Sequence, residues 1–163
     1  MALMPVADAL AAVLADAEAL PEEMVTLDAA HHRVLARDLV ALRTQPPQPM
    51  SAMDGYAVRT ADAVAGARLT VIGEIAAGRP FKRTLGPGEA LRIFTGGVVP
   101  DGADAIVIQE NATRDGALVT INEAAIAAKH VRPAGIDFNE GDVLLRAGTR
   151  LTDRDLALAA LGI

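Results

Sequence analysis

Pro49-Met50-Ser51-Ala52-Met53-Asp54-Gly55-Tyr56-Ala57-Val58 is the stretch that decides how this chain folds. It is entered through Gln45-Pro46-Pro47-Gln48-Pro49. Prolines fix φ and supply no N–H donor, so the approach is a stiff extended connector and not helix. Asp54-Gly55 then interrupts an apolar run, and Asp-Gly favours a tight turn with positive φ at the glycine. Tyr56, the only tyrosine, opens a strand directly afterwards. Asp54 is therefore either a turn former bonded to its own backbone or a carboxylate held rigidly on a short loop.

Working outward from this loop, the downstream signals are those of a β domain. Strands are expected at 55–58, 69–75, 90–95, 105–109, 117–121 and 129–132. Gly86-Pro87-Gly88, Pro100-Asp101-Gly102 and Asp115-Gly116 separate several of them. Asp115-Gly116 predicts a hairpin that pairs residues 112–114 with 117–120. Short strands at this spacing predict a small barrel or sandwich. Residues 60–65 read as one helical turn capped by Thr60, and 123–128 fit either helix or a connection between strands.

Upstream, Pro5 to Leu20 has helical spacing of Val6, Leu10, Val13, Leu14 and Ala17, with Pro21 as its stop. Met24–Leu27 reads as a strand, Asp28–Leu35 as a short helix and Asp38–Leu42 as another strand. At the other end, Val143–Leu145 reads as a strand. Thr152-Asp153-Arg154-Asp155 resembles a capping box that opens a last helix, with Gly162 as its C-cap. The expected fold is thus mixed α/β and β, an elongated α/β unit with a small β-barrel-like domain inserted into it. Residues 1–21 form the N-terminal helix, 22–43 plus 141–163 the elongated unit, and 44–140 the insert.

Composition narrows the function classes. Of 163 residues 52% are apolar, but 34 are alanine and aromatics make up only 2%, so the core is built from Leu, Ile, Val and Ala. A net charge of −6 argues against a nucleic-acid footprint, which needs a basic face. With no cysteine there are no disulfides and no thiolate metal sites. The first twenty residues carry Asp8, Asp16 and Glu18, unlike a signal peptide, and no apolar run is long enough to span a bilayer.

Asp54 has the strongest claim to chemistry. A carboxylate meets an anionic ligand only through a bound cation or a shared proton, so a Mg²⁺-linked role is sensible. Thr95-Gly96-Gly97 sets a hydroxyl and two glycines after a strand; this is a cradle for an oxyanion through exposed N–H groups, or simply a turn. No Gly-Lys-Ser/Thr follows, so it is not the phosphate loop of nucleotide hydrolases. Arg132 and Asp137 flank Pro133 and Gly135, and the arginine suits a phosphate, an acid or a plain surface ion pair. His31 and His32, adjacent on an expected helix, point in different directions and do not converge on one metal. Neither they nor Ser51 form a nucleophilic triad.

Ser51-Ala52-Met53-Asp54-Gly55-Tyr56-Ala57 resembles the signature of the molybdopterin molybdenumtransferase family, which includes MoeA and the E domain of gephyrin. Phe94-Thr95-Gly96-Gly97 through Pro100-Asp101-Gly102-Ala103-Asp104-Ala105 resembles its second motif, with Glu110 as the trailing acid. Arg132-Pro133-Ala134-Gly135-Ile136-Asp137 resembles the third, although the family often has glutamate where Ile136 stands here. Three motifs in order make a specific match.

The resemblance implies an enzyme that inserts molybdate into adenylylated molybdopterin and releases AMP, with Mg²⁺ or a similar divalent cation. It implies catalytic roles for Asp54, Thr95 and Asp137, with Asp54 facing the metal. It implies substrate contacts by Ser51, Gly55, Gly96, Gly97 and Arg132. The elongated unit would form a homodimer, and the protein would contact the molybdopterin adenylyltransferase in the cytoplasm. Membrane and nucleic acid are not expected partners.

Only the first two of the family's four domains are matched. The Ser/Thr-Gly-Asp and Ser-Gly-Gly-Val segments of the third domain are not found; the N-terminal helix is either a core helix of this domain or, as the resemblance implies, one that packs on that later domain. This chain alone is expected to be inactive. An interaction scaffold on the same fold is the alternative. If one site is served, Asp54, Thr95 and Asp137 belong on one rim, exposed and roughly 10–15 Å apart, the scale of an interdomain pocket.

Overall fold

The computed structural model describes residues 4–18 and 20–162. In order these form α1 (Val6–Leu14), β1 (Leu39–Val40), β2 (Met50–Ser51), β3 (Gly55–Val58), β4 (Arg68–Ile75) and β5 (Glu89–Ile93). They continue with β6 (Ala105–Ile108), β7 (Ala112–Asp115), β8 (Leu118–Ile121), β9 (Val131–Arg132), β10 (Val143–Leu145) and α2 (Asp153–Gly162). The 3₁₀ turns Leu27–Ala29 and Gln109–Asn111 complete the set. The architecture is mostly β, with two α-helices.

Six strands form one sheet in the order β6-β3-β5-β4-β8-β7. Laid flat, its outer strands would lie about 24 Å apart, at 4.8 Å per step. Yet β6 and β7, at opposite edges, are joined only through Gln109–Asn111. Such a link spans at most about 15 Å. The sheet must therefore curl, and its edges meet at that corner. The expected barrel-like insert takes this form, a sheet rolled on itself.

Both faces of the sheet are covered. Tyr56, Val58, Leu69, Ala90, Ala105, Val107, Val119 and Ile121 pack on one face, drawn from β3, β4, β5, β6 and β8. Ala57, Ile75, Leu91, Ile93 and Ile106 pack on the other under Leu85, with Phe81 and Val99. Phe81 and Leu85 lie in the crossover from β4 to β5, which pair in parallel and so need a long connection. Every residue of β3 is buried, which is why this central strand reads as a continuous apolar run.

The two ends of the chain come back together. β1 pairs antiparallel with β10, the backbone N–H of Leu42 donates to the Gly162 carbonyl at 2.7 Å, and Arg146 pairs with Asp38 at 2.9 Å. The expected α/β character of these segments is met only loosely. They hold a two-stranded sheet, a 3₁₀ turn and α2, with few buried apolar side chains beyond Ala30, Ala41, Leu151 and Ala159. Thr152 opens α2 as expected: its N–H and hydroxyl both donate to Asp155, at 2.8 and 2.6 Å. Gly162 is the last described helical residue. It lies inside the helix without positive φ, so the expected C-cap role is not seen; a Cβ there would meet Leu144 at 2.1 Å, and close packing calls for the glycine.

Several expected elements differ. α1 stops at Leu14 and not Leu20, and buries nothing: Val6 is 85% and Val13 78% exposed. Met24–Leu27 is not a strand, because no neighbouring strand takes up its backbone groups. The expected helix Asp28–Leu35 shrinks to a 3₁₀ turn, since Val34 and Leu35 face the return segment instead. Val34 bridges Arg150, and Leu35 N–H donates to the Thr149 carbonyl at 2.9 Å. His31 and His32 therefore leave helical geometry and stack, centroids 3.7 Å apart, with His32 at φ 64°. Residues 60–65 make turns without a helix, and 123–128 are a connection.

Gly55 is also not a positive-φ turn residue. It is the first residue of β3, opposite Ile108, and a Cβ there would lie 2.1 Å from the Val107 carbonyl oxygen. Gly55→Ala must push β3 from β6. It is expected to cost about 1–3 kcal/mol, read as a lowered urea midpoint with the slope unchanged.

Candidate functional site

Strand polarity collects the motif loops at one end of the sheet. β3 is antiparallel to β5 and β6, so the start of β3 lies beside the ends of the other two. Asp54 precedes β3, Thr95 follows β5 and Gln109 follows β6. Distant sequence positions thereby become neighbours on a rigid frame.

Asp54 is fastened and not merely exposed. Its Oδ1 accepts the Thr95 backbone N–H and the Thr95 hydroxyl, each at 2.8 Å. Its carbonyl accepts the Gln109 N–H at 3.1 Å. The Thr95 amide above all, then its hydroxyl and the positive charge of Arg92, hold the Asp54 carboxyl below its ordinary value. The side chain is half-buried, and Oδ2 takes no hydrogen bond among the described residues. Asp54 and Thr95 are thus in contact, not separated by the width of a pocket. Through Oδ1 the carboxylate serves not its own backbone but the turn that follows β5.

Thr95-Gly96-Gly97 is not the open amide cradle anticipated. The Thr95 N–H goes to Asp54, the Gly96 N–H to the Ser51 carbonyl at 2.9 Å and the Gly97 N–H to the Phe94 carbonyl at 2.8 Å. All three donors are used within the chain. Gly96, at φ 79°, supplies the positive-φ position of this tight turn, while a Cβ on Gly97 would meet Ile93 at 2.9 Å. Ser51 is fully buried; its hydroxyl donates to the Met53 carbonyl at 2.6 Å, and its backbone is bound to Gly97 and Gly96. Ser51, Gly55, Gly96 and Gly97 therefore build the loop that carries Asp54 and Thr95.

Arg132 and Asp137 sit on the other side of β2. Arg132, in β9, pairs with Met50, and the two line a cleft of about 210 Å³ with Gln45, Pro46, Ile136 and Asp137. Both charged residues are exposed, and the Asp137 N–H donates to the Gln45 carbonyl at 3.1 Å. Met50 is shared ground, one residue from Ser51. No hydrogen bond or ion pair joins Asp137 to Asp54 among the described residues. Nor does any group of three His, Cys, Asp or Glu converge on a metal position there.

Sequence reasoning missed Arg92 and Gln109. Arg92 donates to the Gly55 carbonyl at 3.2 Å and to Gln109 Oε1 at 2.7 Å. The available signal was an arginine inside the apolar strand Ala90-Leu91-Arg92-Ile93-Phe94, a charge with no reason to be there unless a polar partner faces it. Glu110 is exposed beside Gln109, and Asp104 holds Thr60 through its N–H at 2.6 Å.

The chain belongs to the family of the MoeA N-terminal region, whose model (domains I and II) matches residues 4–162. It is 38% identical over 143 residues to the molybdopterin molybdenumtransferase of Haemophilus influenzae, covering 86% of this chain and 35% of that protein. Molybdopterin molybdenumtransferase 2 of Mycobacterium tuberculosis is 42% identical over 144 residues, covering 83% and 35%. The crystal structure of the molybdopterin biosynthesis moeA protein from Pyrococcus horikoshii OT3 superimposes with a TM-score of 0.92 at 34% identity, over 99% of this chain and 44% of that one. The chain spans about a third of the length of these curated relatives.

Because the folded state lowers the Asp54 pKa, the bond to Thr95 stabilises above the ordinary value of 3.8 and is lost as pH falls through the lowered one. Thr95→Val removes one of the two donors. Its destabilisation relative to wild type should be full at pH 7 and should shrink below the ordinary value, as urea midpoints at several pH values would show.

Proposed function

We propose that this chain supplies the Asp54 face of an active site at which molybdate is inserted into adenylylated molybdopterin and AMP leaves. One observation carries the reading: Thr95 holds Asp54 through Oδ1 alone, which leaves a fixed, ionised carboxylate with Oδ2 free at a loop rim. The relatives are molybdopterin molybdenumtransferases, which supports the chemistry and a role in molybdenum cofactor biosynthesis.

The donor set fits a divalent cation only in part, and that part suits Mg²⁺. One carboxylate oxygen is free and no second acid converges on it among the described residues. Mg²⁺ is held in this way, by one or two carboxylates with substrate phosphate oxygens and water. When bound it supplies the positive charge between Asp54 and an anionic substrate. The chain's own part is to hold: Thr95 orients Asp54 and keeps it ionised, and the loop of Ser51, Gly55, Gly96 and Gly97 stiffens the surface. Arg132 and Asp137 are assigned to the cleft beside Met50, where they would meet another portion of the same substrate, Asp137 as the third catalytic group.

The reading extends to assembly. Residues 22–43 with 141–163 are assigned to one unit and 44–140 to its insert, supported by the β1–β10 pairing. A homodimer would bury the exposed Val34, Leu42 and Leu161 of the first unit. The open rim is assigned to contact with the molybdopterin adenylyltransferase, whose product this site would consume.

In the longer protein to which this reading assigns the chain, Asp54→Asn should lower molybdate-dependent AMP release on the order of 100-fold, with the circular dichroism spectrum unchanged. A near-wild-type rate would return Asp54 to a purely structural role. Light scattering should give a dimer at concentrations on the order of tens of micromolar, and a clean monomer there would remove the assembly proposal.

A further inference from the structure

We propose that Arg92 is the positioning residue of the Asp54 site, a guanidinium wedged between two aromatic rings that ties together the chain segments aiming this carboxylate. Its catalytic consequence rests on the function proposed above; its geometric claim does not.

Three contacts define the tie. Nη1 donates to the carbonyl of Gly55, the residue after Asp54, at 3.2 Å. Nη2 donates at 2.7 Å to Oε1 of Gln109, whose own backbone N–H holds the Asp54 carbonyl at 3.1 Å. The guanidinium carbon lies 4.8 Å from the ring centroid of Phe94, the residue before Thr95, and 5.3 Å from that of Tyr56. One planar group thus touches the loop after Asp54, the turn that grips its backbone and the ring beside its hydrogen-bond partner.

Arginine suits this task and lysine does not. The guanidinium fork is rigid, donates in two directions at once and stacks on ring faces. The chain has only three phenylalanines and one tyrosine, and two of these four rings flank this one side chain. No hydrogen bond from Arg92 to the Asp54 carboxylate is present, so its action runs through backbone and side-chain placement, with charge as a weaker contribution. A carboxylate displaced by even an ångström loses rate out of proportion to the contact that moved it.

The test compares Arg92→Met and Arg92→Lys with wild type. Hydrogen exchange is read on the whole protein at the Thr95 and Gln109 amides, which are both bonded to Asp54. Val119 and Ile121 in β8 serve as controls. Exchange at Thr95 and Gln109 should quicken on the order of 10-fold in both variants, with β8 unchanged. In steady-state AMP release by the longer protein to which the proposed function assigns the chain, kcat should fall on the order of 100-fold while KM moves little, because the effect is on geometry at the reacting centre and not on binding.

Unchanged exchange at Thr95 and Gln109 overturns the proposal. So does equal quickening in β8, or failure of both variants to fold, since Arg92 would then be a strut of the sheet. If Arg92→Met alone fails to fold, the lysine variant decides by the same criteria. A separate failure is visible too: loosened Thr95 and Gln109 in a protein whose Asp54→Asn variant keeps its rate would retain the tie and remove the proposed reaction.

Discussion

Three residues, Gln109 to Asn111, carry the chain from one edge of a six-stranded sheet to the other. Everything at the rim follows from that short passage. The sheet has to roll, and rolling encloses the alanine, valine, leucine and isoleucine side chains that a chain so poor in aromatics must rely on. The passage also leaves Gln109 at the end of β6, beside the start of β3, where its backbone grips Asp54 and its side chain meets Arg92. The corner of the curled sheet thereby supplies Gln109 to the candidate site.

Where large side chains are scarce, polar staples do the local fixing. Asp54 with Thr95, Asp104 with Thr60 and Asp155 with Thr152 repeat one pattern, a carboxylate taking both the N–H and the hydroxyl of a threonine. An ionised acceptor strengthens each bond, and none needs a buried charge. All three carboxylates use one oxygen for both bonds, and the arrangement at Asp54 differs in what surrounds it: the Arg92 guanidinium and the open rim. The proposed function would put this common structural device to use at one place.

The sequence showed these features unevenly, and the reasons are physical. The short apolar runs and turn residues of 55–121 were legible because buried strands read as apolar segments between turn signals, and Asp115-Gly116 marked the β7–β8 hairpin directly. The capping box at Thr152 was legible because it is local. Met24–Leu27 and Asp28–Leu35 misled because short apolar runs carry no information about whether a partner strand exists. The loop of Asp54 stands out in the sequence, but the reason for Gly55 is not φ. It is the approach of Val107 across β3 and β6, a tertiary fact with no local trace. Arg92 and Gln109 were hidden for the same reason, since their partners lie 37 and 17 residues away from Arg92 in the chain.

The return of the last strand to the first has a consequence for the order in which the molecule assembles. Leu39 and Leu145 are partners more than a hundred residues apart, so closing that loop in an unfolded chain costs about 4 kcal/mol of entropy. Two strands of two and three residues do not offset such a cost. Gln45 and Phe138, however, already bridge at the neck of the intervening segment, at 2.9 Å. Once the curled sheet has brought these two together, only short tethers separate β1 from β10. The β-rich middle, once folded, is the clasp that makes the union of the two ends a local event. A ribosome releasing this chain would expose β1 long before it has anything to pair with.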